Sequence, residues 1–300
     1  MKREAVEFDA EGCTLRGILF TPESPATPAP AVAMSHGFAG TKEMGLLEYA
    51  ECFVASGLAV LVYDNRTTGE SDGLPRHDLD AVAQRRDYSA AVSFLRSRPE
   101  VDGDRIGVWG TSYSGGTALA AAALDPRIGC VVCQVPLIAG YENIVQLMPL
   151  QQIDTLYEMI EADRVSRAAG NTPGTAPICA PNPEDPCIFP GRRTYDYYHA
   201  QAARHPDVNW KNEVTIRTLE YLLEYDVTPY MKRISPTPML MIAATEDVST
   251  PTGLALDAYA LAREPKQLVL IKGDHYQSYV EQFEVTSSAA RDWFLHHLGN

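Results

Sequence analysis

The stretch Trp109-Gly110-Thr111-Ser112-Tyr113-Ser114-Gly115-Gly116 joins an apolar run, Arg105-Ile106-Gly107-Val108, to an alanine-rich one, Thr117 to Leu124. An apolar run that meets small residues and then helix formers reads as a sharp strand-to-helix turn. At such a turn the residues two before and two after the tip press together, so both must be small, and a serine at the tip is held out as a nucleophile. Two serines compete for that tip. Around Ser112 the small pair is Gly110 and Ser114, around Ser114 it is Ser112 and Gly116, and composition leaves them tied. Position favours Ser112, which lies three residues beyond a strand expected over 105–109, whereas Ser114 falls in the first turn of a helix expected over 113–124. The competing reading, a helix cap rich in Ser and Gly with no chemistry, loses ground because an acid and a histidine appear independently at other strand ends.

Strands and helices alternate on both sides of this turn. Ala5 to Phe20 reads as two short strands about Glu11-Gly12, an antiparallel hairpin. Apolar runs over 31–35, 58–63 and 128–135 predict buried strands, and periodicity predicts helices over 42–56 and 81–98. From about residue 140 the alternation stops. Segment 140–168 carries one long helical pattern, 170–192 is rich in Pro, Gly and Cys, and 194–204 and 212–225 look helical. Strands over 238–243 and 267–271, with helices over 251–263 and 281–298, resume the alternation. The pattern implies an α/β class with a mostly parallel central sheet covered on both faces. Its expected division is a first part of the core over 1–139, a helical cap inserted over 140–235, and a second part of the core over 236–300.

Ligands of open parallel sheets bind beyond the carboxyl ends of the strands. Strand 105–109 delivers Ser112, strand 238–243 delivers Thr245-Glu246-Asp247, and strand 267–271 delivers Gly273-Asp274-His275. Serine, acid and histidine in that chain order suit acyl chemistry: His275 takes the Ser112 proton and returns it to the leaving group, and Asp247 orients the imidazole. Asp247 is preferred to Glu246 as the shorter and commoner orienter. Asp274, adjacent to His275, reads as a loop residue. His36 also follows a strand, but the Gly37-Phe38 after it suits an oxyanion loop better than a general base, and the backbone N–H groups of Phe38 and Tyr113 are the expected oxyanion donors.

A formal charge of −14 without a basic run argues against nucleic acid as a partner. No uninterrupted apolar stretch reaches about 18 residues, and none follows Lys2-Arg3 as an export signal would require. A cytoplasmic protein with no membrane partner is the expectation. The six cysteines read as free thiols, with Cys130 and Cys133 in an apolar strand as core residues rather than a metal or redox pair. No metal and no cofactor is expected.

His36-Gly37-Phe38, Tyr63-Asp64-Asn65-Arg66-Thr67-Thr68-Gly69-Glu70-Ser71, Gly110-Thr111-Ser112-Tyr113-Ser114-Gly115-Gly116, Asp247 and His275 together resemble the α/β-hydrolase superfamily, over residues 5–298. Within it the chain resembles the group of dienelactone-hydrolase-like esterases, thiohydrolases and polyketide transferases. The resemblance implies the α/β-hydrolase fold and assigns the nucleophile to the first serine, Ser112. Segment 64–71 departs from the group's usual D-x-R-G-x-G-x-S by carrying Thr67 where Gly is expected.

The inserted cap is expected over the strand ends, forming the substrate pocket. Leu147, Met148, Leu150, Ile153, Leu156, Tyr157 and Ile160 recur mostly at spacings of three and four, which reads chiefly as a packing stripe. Tyr141, Met148 and Trp210 are the candidate substrate-pocket residues. The expected partner is a small, largely uncharged acyl ester or thioester, free or carrier-bound; self-association into a homo-oligomer stays open. The expected reaction is hydrolysis through a Ser112 acyl-enzyme. Acyl transfer to an alcohol or amine, carbon–carbon bond hydrolysis and a non-catalytic ligand receptor are the alternatives.

Overall fold

In the computed structural model, which describes residues 1–23, 28–148, 150–182, 184–208 and 210–299, the chain begins with Lys2–Ala10 (β1) and Cys13–Thr21 (β2). These pair antiparallel about Glu11 and Gly12, both at positive φ (55° and 83°), a turn whose twist matches that of the flanking strands. Next come Ala29–Ser35 (β3), Leu47–Ala55 (α1), Ala59–Tyr63 (β4), Ala81–Arg96 (α2), Val101–Thr111 (β5), Tyr113–Leu124 (α3) and Cys130–Gln134 (β6). The chain then leaves the sheet for Gly140–Leu147 (α4), Leu150–Ala168 (α5), Thr175–Ala176 (β7), Cys179–Ala180 (β8), Phe189–Pro190 (β9), Arg192–Arg204 (α6), Val214–Thr215 (β10), Ile216–Glu224 (α7) and Met231–Ile234 (α8). Met239–Ala244 (β11), Thr252–Leu261 (α9), Lys266–Ile271 (β12) and Phe283–Leu298 (α10) complete it.

The main sheet has eight strands in the order β1-β2-β4-β3-β5-β6-β11-β12. Beyond β2 every neighbouring pair from β4 to β12 is parallel. This is the α/β-hydrolase fold, with the expected N-terminal hairpin. One face buries α2, α3 and α9 with much of the 140–235 segment; the other buries α1 and α10. Strand order reverses at β3, which lies between β4 and β5, so the loops after these three strands emerge side by side. Register aligns them, with Ser35 opposite both Tyr63 and Gly110. No helix among the described residues is long and apolar enough to cross a membrane.

Two helix expectations need correction. The helix expected over 42–56 begins only at Leu47, because Lys42 is drawn into a buried ion cluster with Asp64 and Gly45 adopts φ 78°. The single helix expected over 140–168 is two: Met148 is extended (φ −113°, ψ 137°), as suits a residue preceding a proline, here Pro149. Ile153, Leu156 and Ile160 are buried, whereas Tyr157 of the same stripe is exposed. All six cysteines are free.

Candidate active site

At the end of β5, Ser112 takes φ 55° and ψ −121°, outside the regions that L-residues favour, and α3 starts at the next residue. Neighbouring main chain holds this conformation in place. The Ser112 N–H donates to the Gln134 carbonyl at 2.9 Å, and the Ser112 carbonyl accepts from the N–H groups of Gly115, Gly116 and Leu137 at 2.9, 3.3 and 2.8 Å. The tight turn explains Gly110, because a Cβ there would lie 2.1 Å from the Ser114 carbonyl oxygen. The two serines part company. Ser112 lines a cleft at the sheet's carboxyl edge, whereas Ser114 is wholly buried, its hydroxyl lying 3.3 Å from Asn65 Nδ2 and 3.5 Å from the Ser35 hydroxyl.

Beyond β11 and β12 the two following loops continue the parallel pairing: Thr245 N–H donates to the Ile271 carbonyl and Glu246 N–H to that of Gly273. This brings buried Asp247 to His275, with Asp247 Oδ2 2.7 Å from His275 Nδ1. Thr250 supports the pair. Its N–H donates to Asp247 Oδ1 at 2.8 Å, and its hydroxyl lies 2.9 Å from Asp247 Oδ2, 3.2 Å from His275 Nδ1 and 3.0 Å from the Val135 carbonyl. Glu246 is exposed. Asp274 accepts from the Tyr276 and Gln277 N–H groups and pairs with Arg193.

The loop after β3 forms the opposite wall. Gly37 packs on the nucleophile candidate, so close that a Cβ would meet Ser112 Cβ at 3.1 Å. Three successive carbonyls of this loop are occupied: Gly37 by the Gly40 N–H and the His36 ring, Phe38 by the Tyr198 hydroxyl at 2.6 Å, and Ala39 by Trp210 Nε1 at 3.0 Å. The N–H groups of Phe38 and Tyr113 have no backbone acceptor among the described residues. Behind the loop, Lys42 ties it to the loop after β4 through Asp64 (2.8 Å), Glu70 (2.6 Å) and Glu43 (3.0 Å). Burial opposes the Lys42 charge, but Asp64, Glu70 and Glu43 together raise its pKa above the ordinary lysine value. Thr67 adopts φ 69°, the backbone conformation that Gly takes most readily, and its hydroxyl donates to the Asp78 carbonyl at 2.8 Å.

Phe38, Ser112, His275, Tyr197, Tyr198 and Tyr279 are prominent in the lining of the cleft, whose cavity volume is about 30 Å³, room for roughly one water. No Lys, Arg, Asp or Glu lines it among the described residues. Burial raises the pKa of the Tyr198 and Tyr279 hydroxyls well above the ordinary tyrosine value, so both remain protonated, and Tyr279 bonds Thr111 Oγ1 at 2.5 Å. Ser112, His275, Asp247, Phe38 and Tyr113 therefore converge. The three expected pocket residues do not join them. Tyr141 is 46% exposed on the outer side of α4, and Met148 lines a separate apolar cavity of about 450 Å³ beside α5. Trp210 stacks on Tyr198 and clamps the Ala39 carbonyl from outside the cleft lining. Asn65, Thr250 and Tyr198 escaped the sequence reading. Asn65 stood in a recognised stretch beside Asp64, but nothing local marked Thr250, and Tyr195-Asp196-Tyr197-Tyr198 offered only aromatic content.

The comparisons agree with this architecture. A model of the X-Pro dipeptidyl-peptidase (S15) family matches residues 11–277. A thiohydrolase of Eupenicillium brefeldianum is 35% identical over 275 residues, covering 90% of this chain and 86% of that protein. The polyketide transferase grgF of Penicillium sp is 33% identical over 282 residues, covering 93% and 91%. The crystal structure of the α/β hydrolase GrgF from Penicillium sp. sh18 aligns with a TM-score of 0.86 at 30% identity, with both chains covered in full. With the fold, the strand-end constellation and these relatives in agreement, the chain belongs to the X-Pro dipeptidyl-peptidase (S15) family and is an enzyme of the α/β-hydrolase type.

Proposed function

We propose that the protein cleaves a carboxylic ester or thioester through an acyl-enzyme on Ser112. The observation that carries this reading is the strained Ser112 at the tip of the β5–α3 turn, sharing one cleft with a histidine whose Nδ1 lies 2.7 Å from a buried carboxylate. With Nδ1 engaged by Asp247, His275 Nε2 is left to take the Ser112 proton as Oγ bonds to the carbonyl carbon. The carbonyl oxygen becomes an oxyanion and meets the N–H groups of Phe38 and Tyr113, donors that gain most as charge develops. Collapse of the tetrahedral intermediate breaks the C–O or C–S bond, and His275 passes its proton to the departing alcohol or thiol. Water then loses a proton to His275 and attacks the acyl-enzyme. The free acid leaves, and the Ser112 hydroxyl is restored.

In this reading residues 140–235 act as a cap, with Tyr197 and Tyr198 of α6 over the cleft. A lining without charged side chains suits a neutral acyl group. Names among the relatives point to both acceptors of one intermediate: a thiohydrolase gives the acyl group to water and a polyketide transferase gives it elsewhere. The test is turnover of a panel of esters and thioesters with the products identified, with and without added alcohols and amines. Free acid as the dominant product, and a Ser112→Ala loss of roughly 10⁵- to 10⁶-fold in kcat, are expected. Dominant transfer product would replace the hydrolase reading with an acyltransferase. Full activity in Ser112→Ala would overturn the acyl-enzyme itself.

A further inference from the structure

We propose that His36 is a positioning residue for the oxyanion donor of Phe38, its neutral ring fixing the Gly37–Phe38 peptide through a bond from Nδ1–H to the Gly37 carbonyl. The inference rests on the acyl-enzyme reading above and assigns a role to a side chain outside the Ser112, His275 and Asp247 set. The tautomer follows from the donors around the ring. The backbone N–H of Asn65 can only donate, and it points at His36 Nε2 at 3.1 Å, so Nε2 carries the lone pair. The Thr68 hydroxyl, 3.2 Å from the same nitrogen, donates its proton to the Asn65 carbonyl at 2.8 Å and does not compete. Nδ1 therefore holds the hydrogen, 2.9 Å from the Gly37 oxygen.

A trans peptide carries its C=O and N–H on opposite sides of one rigid plane. Holding the Gly37 oxygen toward His36 turns the Phe38 N–H the other way. Gly37 lies against Ser112, where a Cβ on it would come within 3.1 Å of Ser112 Cβ, and on the acyl-enzyme reading the carbonyl bonded to Ser112 meets the Phe38 N–H on the side away from His36. His36 is buried, and burial pushes its imidazole below the ordinary value, keeping the ring neutral. Asn65 carries the restraint onward. Its Oδ1 accepts from the Ser35 hydroxyl at 2.7 Å, and its Nδ2 lies 3.3 Å from the Ser114 hydroxyl, one residue past Tyr113, so the loop and the turn that supply the two oxyanion donors share one buried amide.

The test compares His36→Asn, which keeps an N–H near the Nδ1 position, with His36→Gln, which reaches the Nε2 position with an acceptor. On an activated ester, His36→Gln is expected to lose kcat on the order of 10- to 100-fold, less than outright removal of an oxyanion donor, with KM within about threefold. His36→Asn is expected to recover at least about tenfold of that loss at a similar melting temperature. Nitrogen NMR of histidine-labelled, unaltered protein is expected to show His36 as the Nδ1–H tautomer, a readout that needs no variant to fold. Equal kcat in the two variants, a change confined to KM, or the Nε2–H tautomer would overturn the inference. Fluorophosphonate labelling of the unaltered protein separates the two levels. An unlabelled Ser112 sinks the acyl-enzyme reading, whereas a labelled Ser112 with parental kcat in His36→Gln sinks this inference alone.

Discussion

Ser112 holds a backbone conformation that costs on the order of 1–3 kcal/mol, and the turn can keep it because four main-chain hydrogen bonds and a close Gly110–Ser114 contact surround it. Gly110→Ala drives a methyl into the Ser114 carbonyl. We expect a loss of about 1–3 kcal/mol in unfolding free energy, together with reduced Ser112 reactivity; an unchanged denaturation midpoint would contradict the close contact. Thr250 makes a subtler claim. Thr250→Val removes the hydroxyl shared among Asp247, His275 and Val135, and hydrogen bonds to a charged group are worth about 1.5–3 kcal/mol. A fall in kcat of roughly tenfold or more, with the fold intact by circular dichroism, is the expected outcome. That Ser112, Asp247 and His275 lie near one another could be expected from the sequence because each follows an apolar strand. Thr250 could not, since besides Asp247 in its own loop it touches His275 and Val135, which are 25 and 115 residues away.

At the scale of elements, the loop after β3 is held from below by ions and from above by aromatics. Lys42→Met would leave Asp64 buried without its cation, a change expected to cost about 3–5 kcal/mol near neutral pH. Its pH dependence has a definite sign. Lys42 titrates above its ordinary value of 10.5 when folded, so its contribution is present below that pH and fades as pH rises through the folded value. Glu43 titrates below its ordinary value of 4.5, so its share is present above that pH and fades as pH falls through the folded value. Urea midpoints of the parent and Lys42→Met should therefore differ most between about pH 4.5 and 10.5 and converge on either side; a constant difference would count against the cluster. The same ions explain why the first helix begins late. Apolar periodicity over 42–56 was visible, but the burial of Lys42 depends on Asp64, 22 residues away. Thr67, the departure from the group's pattern, adopts φ 69°, a backbone conformation that Gly takes most readily.

The whole molecule joins a sheet whose strand ends present Ser112 and His275 to the 140–235 segment, whose Tyr197 and Tyr198 line the same cleft. The hairpin, the mostly parallel sheet and the break in alternation near residue 140 were legible, because strand and helix periods alternate cleanly on both sides of the interruption, whereas nothing local specified the order in which the strands lie side by side. Within residues 140–235, composition marked aromatic surface without saying where it packs: Tyr141, Met148 and Trp210 lie outside the lining of the Ser112 cleft, with Met148 on a separate cavity and Trp210 bonded to the Ala39 carbonyl. Trp210→Phe keeps a ring to stack on Tyr198 but gives up the bond to the Ala39 carbonyl, worth about 0.5–1.5 kcal/mol. A fall in kcat/KM of about three- to tenfold is expected; no change would mean that the loop after β3 holds its shape without the Trp210 bond. Every step of the proposed reaction runs through one nucleophile, Ser112. Labelling the protein with a fluorophosphonate and mapping the modified peptide tests it most directly: the account predicts a single adduct on Ser112, lost in Ser112→Ala and kept in His275→Ala only at a much slower rate, and an adduct on Ser114 or no adduct at all would contradict it.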